Sequence, residues 1–426
     1  MIMPSPVASA PPSGSRMAVV GVGYVGLPLA LALAEADYRV YGVDIDPRRV
    51  AGLLSGDPGV ETAGRAQLRR ALDSGAFTPT TDWSVLNECR VVVIAVPTPL
   101  HDGEPDLSAL RDAAEMVSRH VVRNTLVVLE STSYPGTTRE ILLPPLTAAV
   151  GAVGKDFFLA FVPERIDPGN PDYSIATTPR IVGGMTPACA DRAAALYLRV
   201  TRSVSIVSSP EAAEMAKLLE NAFRNLNIAF ANELSLVCDR LALNVREVIH
   251  AAATKPFGFM PFYPGPGIGG ECIPVDPRYL AWRARKMGEP MHLLELAVDL
   301  NASMPDRTLE RIGRALNAQG IALRNATVLV LGVSYKPDIG DQRNAPALSV
   351  LSRLLEYGAE VHYHDPYVPE VEIGGRRLQS TDISADVVRR CDLAVALVAH
   401  TGVDYRGIAR RMHLLDLSSG PALPDV

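Results

Sequence analysis

Met17–Ala34 reads M-A-V-V-G-V-G-Y-V-G-L-P-L-A-L-A-L-A. A short β-branched run enters Gly21, Gly23 and Gly26, then leaves into an apolar pattern of helical length. Glycines at this spacing between strand and helix allow a tight turn, and they let backbone N–H groups approach a pyrophosphate at the positive end of the helix. Tyr38–Asp46, Y-R-V-Y-G-V-D-I-D, predicts a second strand ending in Asp44, about 18 residues past the last glycine. An acid there accepts the adenosine ribose hydroxyls and repels a 2′-phosphate. Arg48 and Arg49 follow and could take a phosphate, but with Asp44 in place the pattern favours NAD over NADP.

The βαβ rhythm continues outward. Arg90–Val96 predicts a buried strand ending in Pro97-Thr98-Pro99. Leu126–Leu129 predicts another, ending in Glu130-Ser131-Thr132, and Phe157–Pro163 a third, closed by Glu164-Arg165 and the turn Asp167–Asn170. Polar turns at the carboxyl ends of parallel strands are where open α/β sheets bind ligands. Thr98, Thr132 and Glu164 are therefore site candidates. Ser209-Pro210-Glu211 is a helix start, with Ser as N-cap and Pro at N1. From Ala212 to Asn244 the chain has neither Gly nor Pro, and its apolar residues recur at helical spacing. A helix of about 33 residues, about 50 Å long, is expected; its length points to a dimer surface. Lys217 and Asn221 share one face of it, although a lone helical lysine is usually only solvated.

The last third echoes the first. Thr327–Val333, Glu360–Asp365 and Leu393–Val398 predict strands of a second Rossmann-like unit without the glycine fingerprint, since Ser334-Tyr335-Lys336-Pro337 follows Gly332. Lys336 suits a phosphate or ribose of a different ligand, and Arg343 lies in the same turn region.

Between the halves, Tyr263–Leu280 reads Y-P-G-P-G-I-G-G-E-C-I-P-V-D-P-R-Y-L. This density of proline and glycine predicts a shaped loop with no regular helix. Cys272, with Asp276 four residues on, is either a nucleophile or a small buried hydrophobe in a tight turn.

Composition narrows the class. The 426 residues are 48% apolar and 21% charged, with net charge −6, values of a soluble globular protein. The acidic balance argues against nucleic-acid and anionic-membrane binding. The five scattered cysteines contain no C-x-x-C pair, so neither a disulfide framework nor a metal cluster is expected. Met1–Arg16, rich in Pro, Ser and Ala, reads as a disordered tail rather than a signal peptide. No apolar run is long enough to span a bilayer, and a cytoplasmic protein is expected.

In order, G-V-G-Y-V-G-L-P, A-V-P-T-P, E-S-T-x-x-P-G-T-T, V-P-E-R-x-D-P-G-N, E-M-A-K-L-L-E-N, G-I-G-G-E-C-I-P-V-D-P and L-G-V-S-Y-K-P-D resemble the nucleotide-sugar 6-dehydrogenases, the UDP-glucose and UDP-N-acetylhexosamine dehydrogenase superfamily. The cysteine motif is closer to the N-acetylhexosamine branch. The resemblance implies an α/β fold of two doubly wound Rossmann-like domains joined by a long central helix. Its segments would be a tail (1–16), an NAD domain (17–208), a central helical domain with the cysteine loop and dimer surface (209–318) and a nucleotide-sugar domain (319–426). It implies a four-electron, metal-free oxidation of a UDP- or dTDP-hexose C6 hydroxymethyl to the carboxylate, with two NAD per sugar.

Carried over by position, Cys272 would be the nucleophile, passing through a thiohemiacetal and a thioester. Lys217 and Asn221 would stabilise the oxyanion, and Asp276 would activate water, with Thr132 and Glu164 as proton-transfer partners. Gly21, Gly23, Tyr24, Val25, Gly26, Asp44, Arg49, Pro97, Thr98, Thr132 and Arg343 would line the NAD site. Glu164, Lys217, Asn221, Lys255, Phe262, Tyr263, Gly267, Gly269 and Lys336 would hold the nucleotide sugar.

Two departures bear on the chemistry. Glu271 replaces the histidine often found before the cysteine, and its carboxylate would work against a thiolate. Asn344-Ala345 replaces a common Glu-Ser, which alters the surroundings of Arg343. A two-electron β-hydroxyacid dehydrogenase and a catalytically silent NAD-binding regulator remain alternative readings.

Overall fold

The computed structural model describes residues 10–60, 62–167, 170, 172–420 and 423. By internal contacts the chain falls into two compact units, Met1–Glu220 and Asn221–Val426.

The first unit contains β1 (Arg16–Val20), β2 (Arg39–Val43), β3 (Phe77–Thr80) and β4 (Val91–Ile94), then the short hairpin β5 (Leu100–His101) and β6 (Glu104–Pro105). It continues through β7 (Leu126–Leu129), β8 (Phe158–Phe161), β9 (Arg180–Gly184) and β10 (Val204–Val207). Eight of these make one sheet in the order β10-β9-β8-β7-β4-β1-β2-β3. Pairing is parallel throughout, except between β8 and β9. Valine-rich strands flanked by helices on both faces account for the parallel arrangement. Those helices are α1 (Gly26–Glu35), α2 (Pro47–Leu54), α3 (Arg65–Asp73), α4 (Ser108–His120), α5 (Leu143–Val150) and α6 (Pro187–Tyr197). The strand order reverses between β1 and β4, and Val20 lies in register with both Val43 and Ile94. Gly21, Asp44 and Ala95 therefore meet at one sheet edge, at the switch point where such sheets bind ligands.

The N-terminal segment is less free than its composition predicts. Tyr38 Oη donates to the Pro11 carbonyl at 3.1 Å and Gly14 N–H to Asp37 O at 2.7 Å, and Arg16 already belongs to β1. These bonds and the strand pairing of Arg16 fasten residues 11–16; the rest of the expected tail, 1–9, lies outside the described residues, as do Pro168 and Gly169 of the Asp167–Asn170 turn.

The chain then forms α7 (Pro210–Leu241), 32 residues without interruption, with Ser209 Oγ capping Ala212 N–H at 3.3 Å. The second unit holds the last turns of α7, then α8 (Val245–Ala253), α9 (Cys272–Lys286) and α10 (His292–Asn317). After α10 come β11 (Thr327–Leu331), α11 (Pro346–Glu356), β12 (Glu360–His364), the ribbon β13 (Glu370–Ile373) and β14 (Arg376–Gln379), β15 (Leu393–Ala396) and β16 (Leu414–Asp416). A parallel sheet runs β12-β11-β15-β16.

This sheet repeats the first at the level of single residues. Gly332 ends β11 at φ +81° and Gly21 ends β1 at φ +85°, and a Cβ on either would strike a carbonyl across the switch point, Val398 and Ala95 respectively. Asp365 accepts from Val333 N–H at 2.7 Å, as Asp44 accepts from Val22 N–H at 3.1 Å.

The expectation of an irregular loop across Tyr263–Leu280 is corrected at its second half. The loop stops at Glu271, and Cys272 opens a 15-residue helix. Pro274 falls in its first turn, where N–H groups have no helical partner in any case. Pro277 lies inside the helix and leaves the Ile273 carbonyl without its usual i+4 donor. The Asn225 side chain supplies that donor from α7 at 3.3 Å, which offsets part of the roughly 3 kcal/mol an interior proline costs.

Candidate active site

The glycine turn of the first unit separates packing from ligand approach. A Cβ on Gly26 would overlap the Gly21 carbonyl, and one on Gly21 would sit 2.5 Å from Ala95 O. Gly23 differs, since a Cβ there meets no protein atom within 4 Å. Packing demands the outer two glycines, whereas the middle one fits a backbone that must admit a pyrophosphate. Val25 precedes α1, which has no acid in its first turn, so the helix dipole there favours an anion. Asp44 accepts from Val22 and Asp46 N–H through different oxygens. Arg49 directs Nε and Nη2 at the Val22 carbonyl (2.9 and 2.6 Å) and Nη1 at Pro58 O (2.5 Å), so it buttresses the glycine turn. Burial lowers the Arg49 pKa, with Asp44 and Asp57 opposing. Arg48 pairs with Asp46. Tyr24 contributes its carbonyl to Thr62 Oγ1 at 2.8 Å, and Pro97 is exposed just beyond β4. These residues fit a dinucleotide.

Beside them, Thr98 Oγ1 donates to the Thr132 carbonyl at 2.6 Å, tying together the polar turns after β4 and β7. Lys217, expected from its position to be solvated, is buried. Its Nζ donates to Glu164 O at 2.7 Å and lies 3.6 Å from the Glu164 carboxylate. Burying an ammonium is tolerable only with such partners. Thr132, Glu164 and Lys217 are thus brought to the same end of the first unit's sheet.

In the second unit, Cys272 stands at the first turn of α9, half-buried, whereas Cys89, Cys189, Cys238 and Cys391 are buried. Burial pushes the Cys89 thiol up to about 12 and the Cys391 thiol to about 11. The positive end of a helix dipole favours negative charge at its N-terminus. One turn on, the buried Asp276 carboxylate accepts from Asn221 Nδ2 at 2.6 Å. The Glu271 carboxylate pairs with Arg343, which also grips Asp341 through Nε and Nη2. The glycine loop is held down by protein. A Cβ on Gly269 would lie 2.6 Å from Tyr335 Cβ, Gly267 (φ +132°) packs on Pro346, and Gly270 N–H donates to Arg343 O at 2.9 Å. Phe262 packs edge-on to Phe223 and Tyr263 to His250. Lys255 is exposed with its ammonium over Phe257, and Lys336 is half-buried past β11.

Residues 15–201, 211–303 and 329–419 match in turn the NAD-binding, central and UDP-binding domains of the UDP-glucose/GDP-mannose dehydrogenase family. The chain belongs to this family. It is accordingly an enzyme, an NAD-dependent nucleotide-sugar dehydrogenase. It is 35% identical over 356 residues to the UDP-N-acetyl-D-glucosamine 6-dehydrogenase of Pseudomonas aeruginosa, covering 83% of each chain. It is 36% identical over 360 residues to the UDP-N-acetyl-D-mannosamine dehydrogenase of Pyrococcus horikoshii, 83% and 84% covered. The solved structure of that archaeon's UDP-D-ManNAc dehydrogenase superposes with a TM-score of 0.83 at 33% identity, over 94% of both chains. A UDP-glucose dehydrogenase from Pyrobaculum islandicum gives 0.81 at 27%, over 96% and 98%.

Within the dehydrogenase, sequence reasoning overlooked three supporting residues. Glu214 of α7 accepts from Gly136 N–H (2.6 Å), Thr138 N–H (2.8 Å) and Thr138 Oγ1 (2.6 Å), fixing the turn after Thr132. Its place in E-M-A-K was visible, but its partners lie 76 to 78 residues away. Glu130 and Arg180 are both buried beneath the Glu164 strand end, 3.6 Å apart, with Tyr197 donating to Glu130 at 2.7 Å. That separation is too long for a hydrogen bond, so burial prevails and the Glu130 pKa is raised. Arg180 Nη1 donates to the Pro163 carbonyl at 3.0 Å, next to Glu164. No helix among the described residues is long and apolar enough to cross a membrane.

Proposed function

We propose that the enzyme oxidises the C6 hydroxymethyl of a UDP-N-acetylhexosamine to the carboxylate, a four-electron reaction. The named relatives act on sugars of that class, and the cysteine motif fits the same branch. NAD, which Gly21, Gly23, Gly26, Asp44, Thr98 and Thr132 would hold, would accept a hydride from C6 in each oxidation, and Glu164 with Thr132 would take the C6 hydroxyl proton in the first. The Cys272 sulfur attacks the C6 aldehyde left by the first oxidation, and a C–S bond forms. Lys217 and Asn221 donate to the resulting oxyanion, each worth about 3 kcal/mol or more at such sites. Loss of a second hydride from the same carbon leaves a thioester. Asp276 takes a proton from water, whose oxygen attacks that carbon. The C–S bond breaks, freeing the thiolate and the carboxyl group, whose remaining proton passes to solvent. Phe262, Tyr263, Gly267, Gly269 and Lys336 hold the nucleotide sugar.

The observation that carries this reading is Cys272 itself, the cysteine that is not buried, at a helix start one turn from the Asn221–Asp276 pair. A two-electron dehydrogenase needs no thiol there. The test is to count NADH released per UDP-N-acetylglucosamine or UDP-N-acetylmannosamine consumed. Two are expected, and Cys272→Ser should release no carboxylate while binding NAD as before. One NADH per sugar, or full turnover by the serine variant, would sink the thioester route.

The apolar row Met215, Leu219, Phe223, Phe230, Val237 and Leu241 is exposed along α7, which supports a homodimer through this helix. The reducing cytoplasm, where free thiols persist, suits such an enzyme.

A further inference from the structure

Three buried asparagines connect the two ends of the cysteine loop in a single directed chain. Gly265 N–H donates to Asn232 Oδ1 at 2.9 Å, and Asn232 Nδ2 donates to Asn301 Oδ1 at 2.9 Å. Asn301 Nδ2 donates to Asn225 Oδ1 at 3.2 Å, and Asn225 Nδ2 to the Ile273 carbonyl at 3.3 Å. The direction is forced: an amide N–H at one end can only donate and a carbonyl at the other can only accept, so all three side chains must point the same way. Their relative exposures are 0% for Asn232, 5% for Asn301 and 2% for Asn225. No water need complete the chain.

We propose that Asn225, Asn232 and Asn301 are positioning residues that fix Cys272 for attack; the proposal rests on the reading of Cys272 as nucleophile. The chain starts just after Tyr263 and ends on the residue next to the cysteine, so it closes the glycine loop as a brace. Asn225 and Asn232 are seven residues apart on α7, two helical turns on one face. Asn301 of α10 is the link between them, and its Nδ2 also reaches the Asn225 carbonyl at 3.0 Å. The brace answers a specific defect, since Pro277 has no N–H to give the Ile273 carbonyl. Asn225→Ala removes the side-chain donor that stands in for that missing N–H, and the expected consequence is a first turn of α9, with its sulfur, held less tightly. Displacements of about 1 Å cost up to about 100-fold in rate.

This origin makes the proposal testable by rescue. Asn225→Ala should slow iodoacetamide labelling of Cys272 about tenfold and lower kcat with UDP-N-acetylglucosamine about 10- to 100-fold, with the KM for NAD changed less than twofold. Pro277→Ala restores a backbone donor for Ile273, so Asn225→Ala/Pro277→Ala should label within about threefold of the parent. A double variant as slow as Asn225→Ala, or an Asn225→Ala enzyme that labels normally, overturns the proposal. If Asn225→Ala does not fold, the double variant carries the test alone: a folded protein with near-parental labelling supports the brace, and an unfolded or slow one refutes it. Cys272→Ser, run alongside, tests the nucleophile separately. Full turnover by that variant defeats the thioester reading, whereas a dead serine variant beside a normal Asn225→Ala enzyme defeats only the brace.

Discussion

Asn221 donates its side-chain amide to the Asp276 carboxylate at 2.6 Å, with both side chains buried. Asp276 lies one turn beyond Cys272 on α9, so the carboxylate is held on the face of the helix that carries the sulfur. Under the thioester reading its charge is needed for the last step. Asp276→Asn keeps the shape and removes the charge. It should lower kcat by about 10²- to 10⁴-fold, as expected for loss of a general base, with NAD affinity unchanged. Rapid-quench mass spectrometry should then find the sugar attached to Cys272. An enzyme with normal kcat would assign the water-activating role elsewhere.

Glu271 and Arg343 form the second relationship to test. An unpaired carboxylate next to Cys272 would disfavour a thiolate, and Arg343 offsets that charge. Both side chains are partly exposed, so the effect is screened and salt-dependent. Arg343→Ala should slow alkylation of Cys272 at neutral pH by about two- to fivefold in low salt, and Glu271→Gln in the same chain should restore it. Equal rates in parent and Arg343→Ala enzymes would mean that the Glu271 carboxylate does not influence the sulfur.

What could be read in the sequence was whatever depends on neighbours along the chain. The β-branched runs before Gly21 and Gly332, and the Gly- and Pro-free stretch after Pro210, became β1, β11 and α7 within a few residues. What could not be read depended on distant partners. The helix at Cys272 violates a local rule, and the group that permits it, Asn225, lies 48 residues away. Helical spacing alone reads Lys217 as solvated and only the resemblance gave it a role; the Glu164 carbonyl that holds its ammonium stands 53 positions away, past the end of β8. Motif likeness located Cys272 and Lys217 but not Asn225, and no spacing rule gave their hydrogen-bond partners.

The second sheet carries an acid-sensitive joint. The Asp338 N–H donates to His400 Nδ1 at 3.0 Å, which leaves the ring proton on Nε2, 3.0 Å from Asp365. Burial alone would raise the Asp365 carboxyl, but His400 and the Val333 and Tyr367 N–H groups hold it below its ordinary value. A depressed folded pKa stabilises the fold above the ordinary carboxylate value of about 3.9, and that stability is lost as pH falls through the folded value. Asp365→Asn should therefore cost about 1–3 kcal/mol at pH 7, and its gap from the parent should shrink below about pH 4. Urea unfolding at both pH values, followed by hydrogen exchange on β11 and β12, checks this. A gap that stays constant with pH would show that the carboxylate's charge contributes nothing there.

Gly23 and Gly26 make opposite predictions although they stand three residues apart. A methyl group on Gly26 would overlap the Gly21 carbonyl. Gly26→Ala must therefore push α1 away from the turn after β1, and α1 is apolar and almost wholly buried, so this variant should be strongly destabilised whether or not NAD is present. A methyl on Gly23 meets nothing in the protein within 4 Å, and its stability without NAD should stay within about 1 kcal/mol of the parent. Its cost should appear on binding, as a loss of NAD affinity of about tenfold or more, because the methyl occupies the side from which a pyrophosphate approaches. Thermal melting with and without NAD separates the two, since the parent gains stability as RT ln(1 + [L]/Kd) and Gly23→Ala should lose most of that gain. Undiminished NAD stabilisation in Gly23→Ala would mean that the pyrophosphate does not lie over this turn, and the NAD site would have to be drawn elsewhere.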